Sequence, residues 1–198
     1  MSDGMRERIL EASLRIIYDK GISNFKLEEV SLFLNISRKT IYNHFSSKKN
    51  LIKAALTLNT LKLGNVLDEL GGRDDIGFIK KIEIIVEIAF TEFQKWERSG
   101  YSDGSYFWEQ SIEMPITALR QKVVELVIQL IHEGVEAGVL RKDISVEILP
   151  YYYMNMIEGA VKLHEHRPIP IGIAEFLKES LKISLKGVLT EEAGDQLH

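Results

Sequence analysis

The sequence predicts an all-α fold of about nine helices, and three observations lead there. Apolar residues recur along nearly every segment at the helical period rather than in alternation. Turn-forming residues punctuate that pattern at helix-like lengths, at Gly21, "LGGRDD", Gly138 and "RPIPIG". Hydrophobic residues make up 45% of the 198 and charged residues 27%, a composition that builds a globular core rather than a disordered chain.

In "RERILEASLRIIYDKG" the residues Ile9, Ala12, Ser13, Ile16 and Ile17 share one face, and Gly21 stands where a left-handed cap ends the helix. "KLEEVSLFL" gives a short second helix with Leu27, Val30 and Leu34 inward and Leu32 as a further inward candidate. Asn35 tolerates a left-handed turn. Ser37 then caps a third helix, predicted from about Arg38 to His44, by accepting from the backbone N–H of Lys39 or Thr40. A long fourth helix follows "FSSKKN", with Leu51, Ile52, Ala55, Leu58 and Leu63 apolar, and stops near "LGGRDD". "IGFIKKIEIIVEIAFTEFQKW" is apolar nearly all round, which predicts burial from several sides. "ERSGYSDGS" reads as a loop, "YFWEQSIEMP" as a short helix and "ITALRQKVVELVIQLIHEGVEAG" as a long helix ending at Gly138. Two more helices are predicted at roughly 146–165 and 172–189, divided by the prolines of "RPIPIG"; Pro150 either starts the first of them or kinks it.

Two short helices joined by a tight turn, the second headed by a capped run of small polar and basic residues, describe a helix-turn-helix. A recognition helix enters the major groove end-on, so its first turn must be polar and slim enough to reach base edges. Arg38, Lys39 and Thr40 occupy that turn, while Ile41 and Phe45, four apart, point back at the first two helices. Tyr42, Asn43 and His44 flank the groove, where a phenol, an amide and an imidazole can donate to phosphates. Ser47 can cap the fourth helix, so that its amide end and Lys48 offer one more phosphate site.

From Arg6 to about Leu58 the sequence resembles the DNA-binding domain of the TetR family of bacterial transcriptional regulators, with "RERILEASLRIIYDKG" and "LEEVSLFLNISRKTIYNHFSSKKNLI" matching in register. The resemblance implies that Arg38, Lys39, Thr40 and Asn43 face bases or nearby phosphates and that Tyr42, His44 and Lys48 grip the backbone. Phe25 and Lys26 stand where the family often has Thr-Thr; Ser23 or Asn24 is then the substitute cap, and Lys26 can reach a phosphate through its charge. Leu34 and Asn35 replace the usual Ala-Gly of the turn, and Lys39 aligns with a position that is often small, which changes the groove contacts, so the operator sequence cannot be borrowed from relatives. The expected DNA-binding set is therefore Lys26, Ser37, Arg38, Lys39, Thr40, Tyr42, Asn43, His44 and Lys48. The expected division is a helix-turn-helix head over 1–46 and a ligand-binding and dimerisation domain over 47–198.

The family layout implies a divergent helical body, and "VVELVIQLIHEGVEAGVLRKDISVEIL" resembles its long seventh helix and the start of the eighth. The last two helices then correspond to those that pair across a two-fold axis. On the final helix Phe176, Leu177, Ser180, Leu181, Ser184, Leu185 and Val188 form one stripe, and Gly159 and Ala160 before it permit close backbone approach. Gly159, Phe176, Leu177, Leu181 and Leu185 are the dimerisation candidates; packing within the subunit is the alternative for this pair of helices. A two-fold dimer would set two recognition helices in successive major grooves about 34 Å apart, reading a near-palindrome. A pocket among the central helices would draw on Phe90, Phe93, Trp96, Tyr106, Phe107, Trp108 and the run Tyr151, Tyr152, Tyr153, with Glu109, Glu113 and Asn155 as polar anchors. Tyr152 stands for its run in the ligand-binding set, and carboxylates beside Trp and Tyr would suit a cationic aromatic ligand.

The net charge of −4 conceals an asymmetry. Residues 1–60 carry ten Lys and Arg against six Asp and Glu, and residues 61–198 carry fifteen against twenty-three, so a basic head precedes an acidic body, as expected where only the head meets phosphates. Cysteine is absent, which removes disulfides, thiolate zinc sites and cysteine nucleophiles and fits a reducing cytoplasm. "MSDGMRERIL" has no apolar signal region, and no apolar run approaches the ~18 residues of a membrane span. His132 lacks a second His at i+4, His164 and His166 point apart on a helix, and Walker, dinucleotide and nucleophile-elbow motifs are missing. The expectation is a cytoplasmic homodimer that binds double-stranded DNA and an unidentified small-molecule effector, with no metal, cofactor, membrane partner or enzymatic activity. The expected role is that of an effector-responsive repressor on a near-palindromic operator; the alternative is a helical dimeric small-molecule- or protein-binding module whose head does not read DNA.

Overall fold

The computed structural model describes residues 2–98, 110–166 and 171–195. Among them run the helices α1 (Ser2–Lys20), α2 (Leu27–Leu34), α3 (Arg38–His44), α4 (Lys48–Gly71), α5 (Phe78–Arg98), α6 (Gln110–Glu136), α7 (Leu149–His166), α8 (Ile173–Val188) and the short α9 (Glu191–Gly194), with a 3-10 turn, Val146–Ile148, leading into α7. The chain divides into two compact units: Met1–Leu63 with Lys95–Leu119, and Gly64–Gln94 with Arg120–His198.

The first unit is built on α1. Its expected face, Ile9, Ala12, Ser13, Ile16 and Ile17, is buried, joined by Leu10 and Leu14. The Ser13 hydroxyl, with no water to bond, donates to the Ile9 carbonyl at 2.7 Å. Gly21 ends the helix at φ 84, donating to the Ile17 carbonyl at 2.8 Å. Phe25, Val30, Ile41, Phe45, Leu51 and Ala55 complete this core, and Leu34 and Leu58 pack at its margin. Leu32 departs from expectation and is 81% exposed. Two residues beyond the inward Val30, it is rotated by about 200° around the axis, so both cannot face the core. The α2–α3 turn passes through Asn35 in the left-handed region, φ 51 and ψ 50. An Asn35→Ala change should lower stability by about 1 kcal/mol, read from the urea midpoint, because alanine lacks the local hydrogen bonding that offsets the strain.

In the second unit Leu67, Leu70, Phe78, Leu126, Leu130, Leu140, Leu149, Ala174 and Leu177 are among the buried residues. Gly134 is required where α6 passes the start of α5: a Cβ there would meet Phe78 at 2.8 Å and Leu140 at 2.9 Å. Gly138 turns the chain at φ 68, and the following segment pairs antiparallel with the end of α8 through Leu140 and Leu189. Pro150 lies in the first turn of α7, where its missing N–H breaks no helical bond, and so starts that helix. Pro115 does not divide α6; it falls within the first two turns, where a proline removes only one ladder bond, and a single helix replaces the two expected.

The reading of α5 as buried from several sides needs correction. Among its described side chains only Phe78 and Lys81 are buried, and the isoleucines are half-buried. Lys81 is 2% exposed, and its ammonium donates to Glu133 Oε1 and Oε2 at 3.0 and 2.9 Å and to the Gly71 carbonyl at 3.2 Å. The Gln129 amide donates to the same carbonyl at 2.7 Å and to Glu133 at 2.9 Å. The C-terminal carbonyl of α4, which has no partner in its own helix, is thus satisfied from α5 and α6.

Candidate nucleic-acid interface

Ser37 is extended, φ −77 and ψ 153, and its hydroxyl accepts from the Thr40 backbone N–H at 3.0 Å, the second of the two expected partners. That bond starts α3 at Arg38 and commits Thr40, whose hydroxyl lies 2.9 Å from Ser37 Oγ, to the cap. Ile41, 1% exposed, and Phe45, 5%, seat the other face of the helix in the core. The seven-residue helix is therefore fixed in rotation, and Arg38, Lys39, Tyr42 and Asn43 share its exposed face. Of the residues expected at the bases, Arg38, Lys39 and Asn43 lie on this face, joined by Tyr42, whereas Thr40 and His44 are half-buried flanks.

Lys26 is exposed and occupies the N-cap of α2 without a side-chain cap bond. Neither Ser23 nor Asn24 replaces the missing hydroxyl, a correction with a clear cause: the Asn24 amide donates back to the Lys20 carbonyl at 3.0 Å, at the end of α1. Phe25 fills the core at 0% exposure, and the Lys48 ammonium lies 5.7 Å from the centre of its ring. Ser47 accepts from the Asn50 N–H at 3.1 Å, so the start of α4 is capped beside Lys48 as expected.

Sequence reasoning missed the carboxylates of α2. Glu28 accepts a hydrogen bond from Arg38 Nη1, and Glu29 accepts from Lys20 at 2.7 Å. A hydrogen bond from its own backbone N–H and then the Arg38 guanidinium hold the Glu28 carboxyl below the usual carboxylate range. The only signal for the pair was two opposite charges ten residues apart across a tight turn.

Only part of the candidate ligand set lies among the described residues, and the dimer candidates divide between the surface and the chain's own core. Phe90 is half-buried with the Lys178 ammonium 4.6 Å from its ring centre. Phe93 and Trp96 lie on α5 and Glu113 on α6, with side chains outside the described set, and Tyr106, Phe107, Trp108 and Glu109 lie outside the described residues. Tyr152 is 49% exposed, and Asn155 is exposed with its amide donating to the Tyr151 carbonyl at 2.9 Å. Tyr151, Asn155, Gly159 and Leu163 recur every fourth residue on the outward face of α7, so Tyr152 and Asn155 neighbour the dimerisation candidate Gly159 rather than lining the interior. On α8, Leu177 and Leu185 are 2% and 5% exposed within the chain, with Phe176 and Leu181 half-buried, whereas Ile183 is 72% exposed. The stripe expected to meet a partner packs first against its own subunit, around Ala160, Ile173 and Leu177. Among the described residues no three His, Asp or Glu side chains gather as a metal site, and no helix is long and apolar enough to cross a membrane.

A capped helix held by its apolar face behind a left-handed turn, with basic and amide groups outward, defines a helix-turn-helix protein. Residues 9–55 match the profile of the bacterial regulatory proteins, tetR family. The HTH-type transcriptional regulator YvkB of Bacillus subtilis is 29% identical over 66 residues, 33% of this chain and 35% of that protein. This chain therefore spans only about a third of that relative's length. YvaF of the same organism, also an HTH-type regulator, is 18% identical over 191 residues, 96% of this chain and 99% of its own. Among solved structures, a Saccharomonospora viridis protein described as a transcriptional regulator, in complex with choline, has a TM-score of 0.72 at 20% identity, covering 96% of this chain and 100% of that one. Residues 9–55 thus carry the N-terminal domain of the bacterial regulatory proteins, tetR family.

Proposed function

We propose that the chain is a homodimeric, effector-responsive repressor that binds a near-palindromic operator in the cytoplasm. The observation that carries this reading is the exposed face of α3: Arg38, Lys39, Tyr42 and Asn43 point outward from a helix whose opposite face is locked by Ile41 and Phe45. Their exposure supports assigning Arg38 and Asn43 to base edges, Lys39 and Tyr42 to edges or phosphates, and Lys26 and Lys48 to flanking phosphates. The outward residues of α7, Tyr151, Tyr152, Asn155, Gly159 and Leu163, with Ile183 of α8, are the surface we assign to the second copy. Gly159 suits such a face, since a Cβ there would meet nothing within 4 Å in the single chain.

The effector is taken to be a small molecule held by the helical body. Choline, a cation, is bound by the Saccharomonospora viridis neighbour; here the Phe90 ring already receives the Lys178 ammonium, a contact that a cationic ligand on that ring would displace. To change operator affinity tenfold, the effector needs about 1.4 kcal/mol of differential binding between the DNA-competent and DNA-incompetent states.

Joint replacement of Lys39 and Tyr42 by Ala tests the assignment. Binding to the selected operator should weaken by about tenfold or more while the oligomer measured by sedimentation is unchanged. Unaltered operator affinity would remove α3 from the interface and favour a helical binding module whose head does not read DNA.

A further inference from the structure

We propose that Glu28 is a positioning residue that turns Arg38 from a phosphate-gripping charge into a reader of base edges; this rests on the DNA-binding reading above. The two first-turn carboxylates of α2 have different tasks. Glu29 is half-buried and bonds Lys20, tying α2 to α1, whereas Glu28 is exposed and reaches forward to the first residue of the reading helix.

The contact engages Arg38 Nη1, while Nε and Nη2 have no partner among the described residues. A guanidinium is a planar fork, so this leaves the Nε–Nη2 edge available for two parallel bonds to the O6 and N7 acceptors of a guanine. The same carboxylate neutralises the charge that would draw Arg38 to any phosphate regardless of sequence. It also places a negative group where a misplaced phosphate would be repelled. A lysine could not be used in this way, because a point charge has no second edge to present.

The test measures full-length wild type and Glu28→Gln by fluorescence anisotropy on the selected operator and on a scrambled duplex, across a salt series. Glutamine keeps the shape and one acceptor but removes the charge. Expected are affinity for the scrambled duplex raised by up to about fivefold, a salt dependence steeper by about one ion per subunit, and a correspondingly lower ratio of specific to non-specific binding. Glu28→Asp should restore much of the ratio, and the effect of Glu28→Gln should vanish in an Arg38→Gln background, which a merely structural role for Glu28 would not produce. An unchanged ratio and slope, or an effect that persists without Arg38, would overturn the inference while leaving DNA binding intact. Wild type that binds neither duplex would overturn both readings.

Discussion

Phe25→Ala is expected to destabilise the N-terminal unit by about 3–5 kcal/mol. The ring is 0% exposed and sits among Ile9, Ile17, Val30, Ile41 and Leu51 in the core that holds α3. Truncation removes the transfer free energy of the ring and leaves a cavity that α1 and α2 cannot close without moving the turn. Guanidinium denaturation followed by helical circular dichroism measures the loss, with Phe25→Leu, which retains most of the volume, costing roughly 1 kcal/mol. Because Ile41 and Phe45, which seat α3, belong to the same core, Phe25→Ala should also weaken operator binding under conditions where the chain is still folded. A loss below about 1 kcal/mol would mean that Phe25 is not packed as described.

Glu133→Ala should cost about 2–3 kcal/mol, the second largest effect. The Lys81 ammonium is almost wholly inaccessible, so removing its carboxylate leaves a buried charge with, among the described residues, only the Gly71 carbonyl as acceptor. The figure is set below the ~5 kcal/mol that a fully buried broken pair can cost, because the Glu133 side chain is 31% exposed and water reaches part of the pair. Replacing both partners by apolar residues, Lys81→Met with Glu133→Leu, should recover most of the loss, since a buried ion pair contributes little net stability over good packing. If the double variant were less stable than Glu133→Ala, the pair would have a stabilising role beyond charge compensation. Urea midpoints of the three proteins decide the matter.

Both effects fall where local pattern carried the least information. The bounds of α3, the Ser37 cap, the left-handed Asn35 and the glycines at 21 and 138 were legible because each depends on residues within one turn of chain. Phe25 lies between helices, and nothing in its local sequence says that it points inward; it is buried in a core shared by α1, α2, α3 and α4. Lys81 lies in an apolar helix and finds its counter-charge 52 residues away, so periodicity saw only the helix and charge counting saw only a surface residue. Glu28 and Arg38 stand on different helices, and only the turn geometry brings them together.

The same limit explains the body. Tyr152 and Asn155 looked like pocket residues by type, but their register with Gly159 puts them on the outward face of α7. Leu177 and Leu185 followed an apolar stripe that pattern alone could not assign to the chain's own core or to a partner; their burial within the chain assigns it to the core. Exposed apolar residues such as Ile183 and Tyr151 mark the remaining surface more directly than the stripe did.

Selection of bound duplexes from a randomised library, followed by a salt titration of the most enriched sequence, tests the central claim most directly. The account predicts a near-palindrome with half-sites about one helical turn apart and an affinity that falls steeply with salt. Absence of enrichment from a dimer that is intact by sedimentation, both alone and with cell extract supplied as a source of effector, would contradict it.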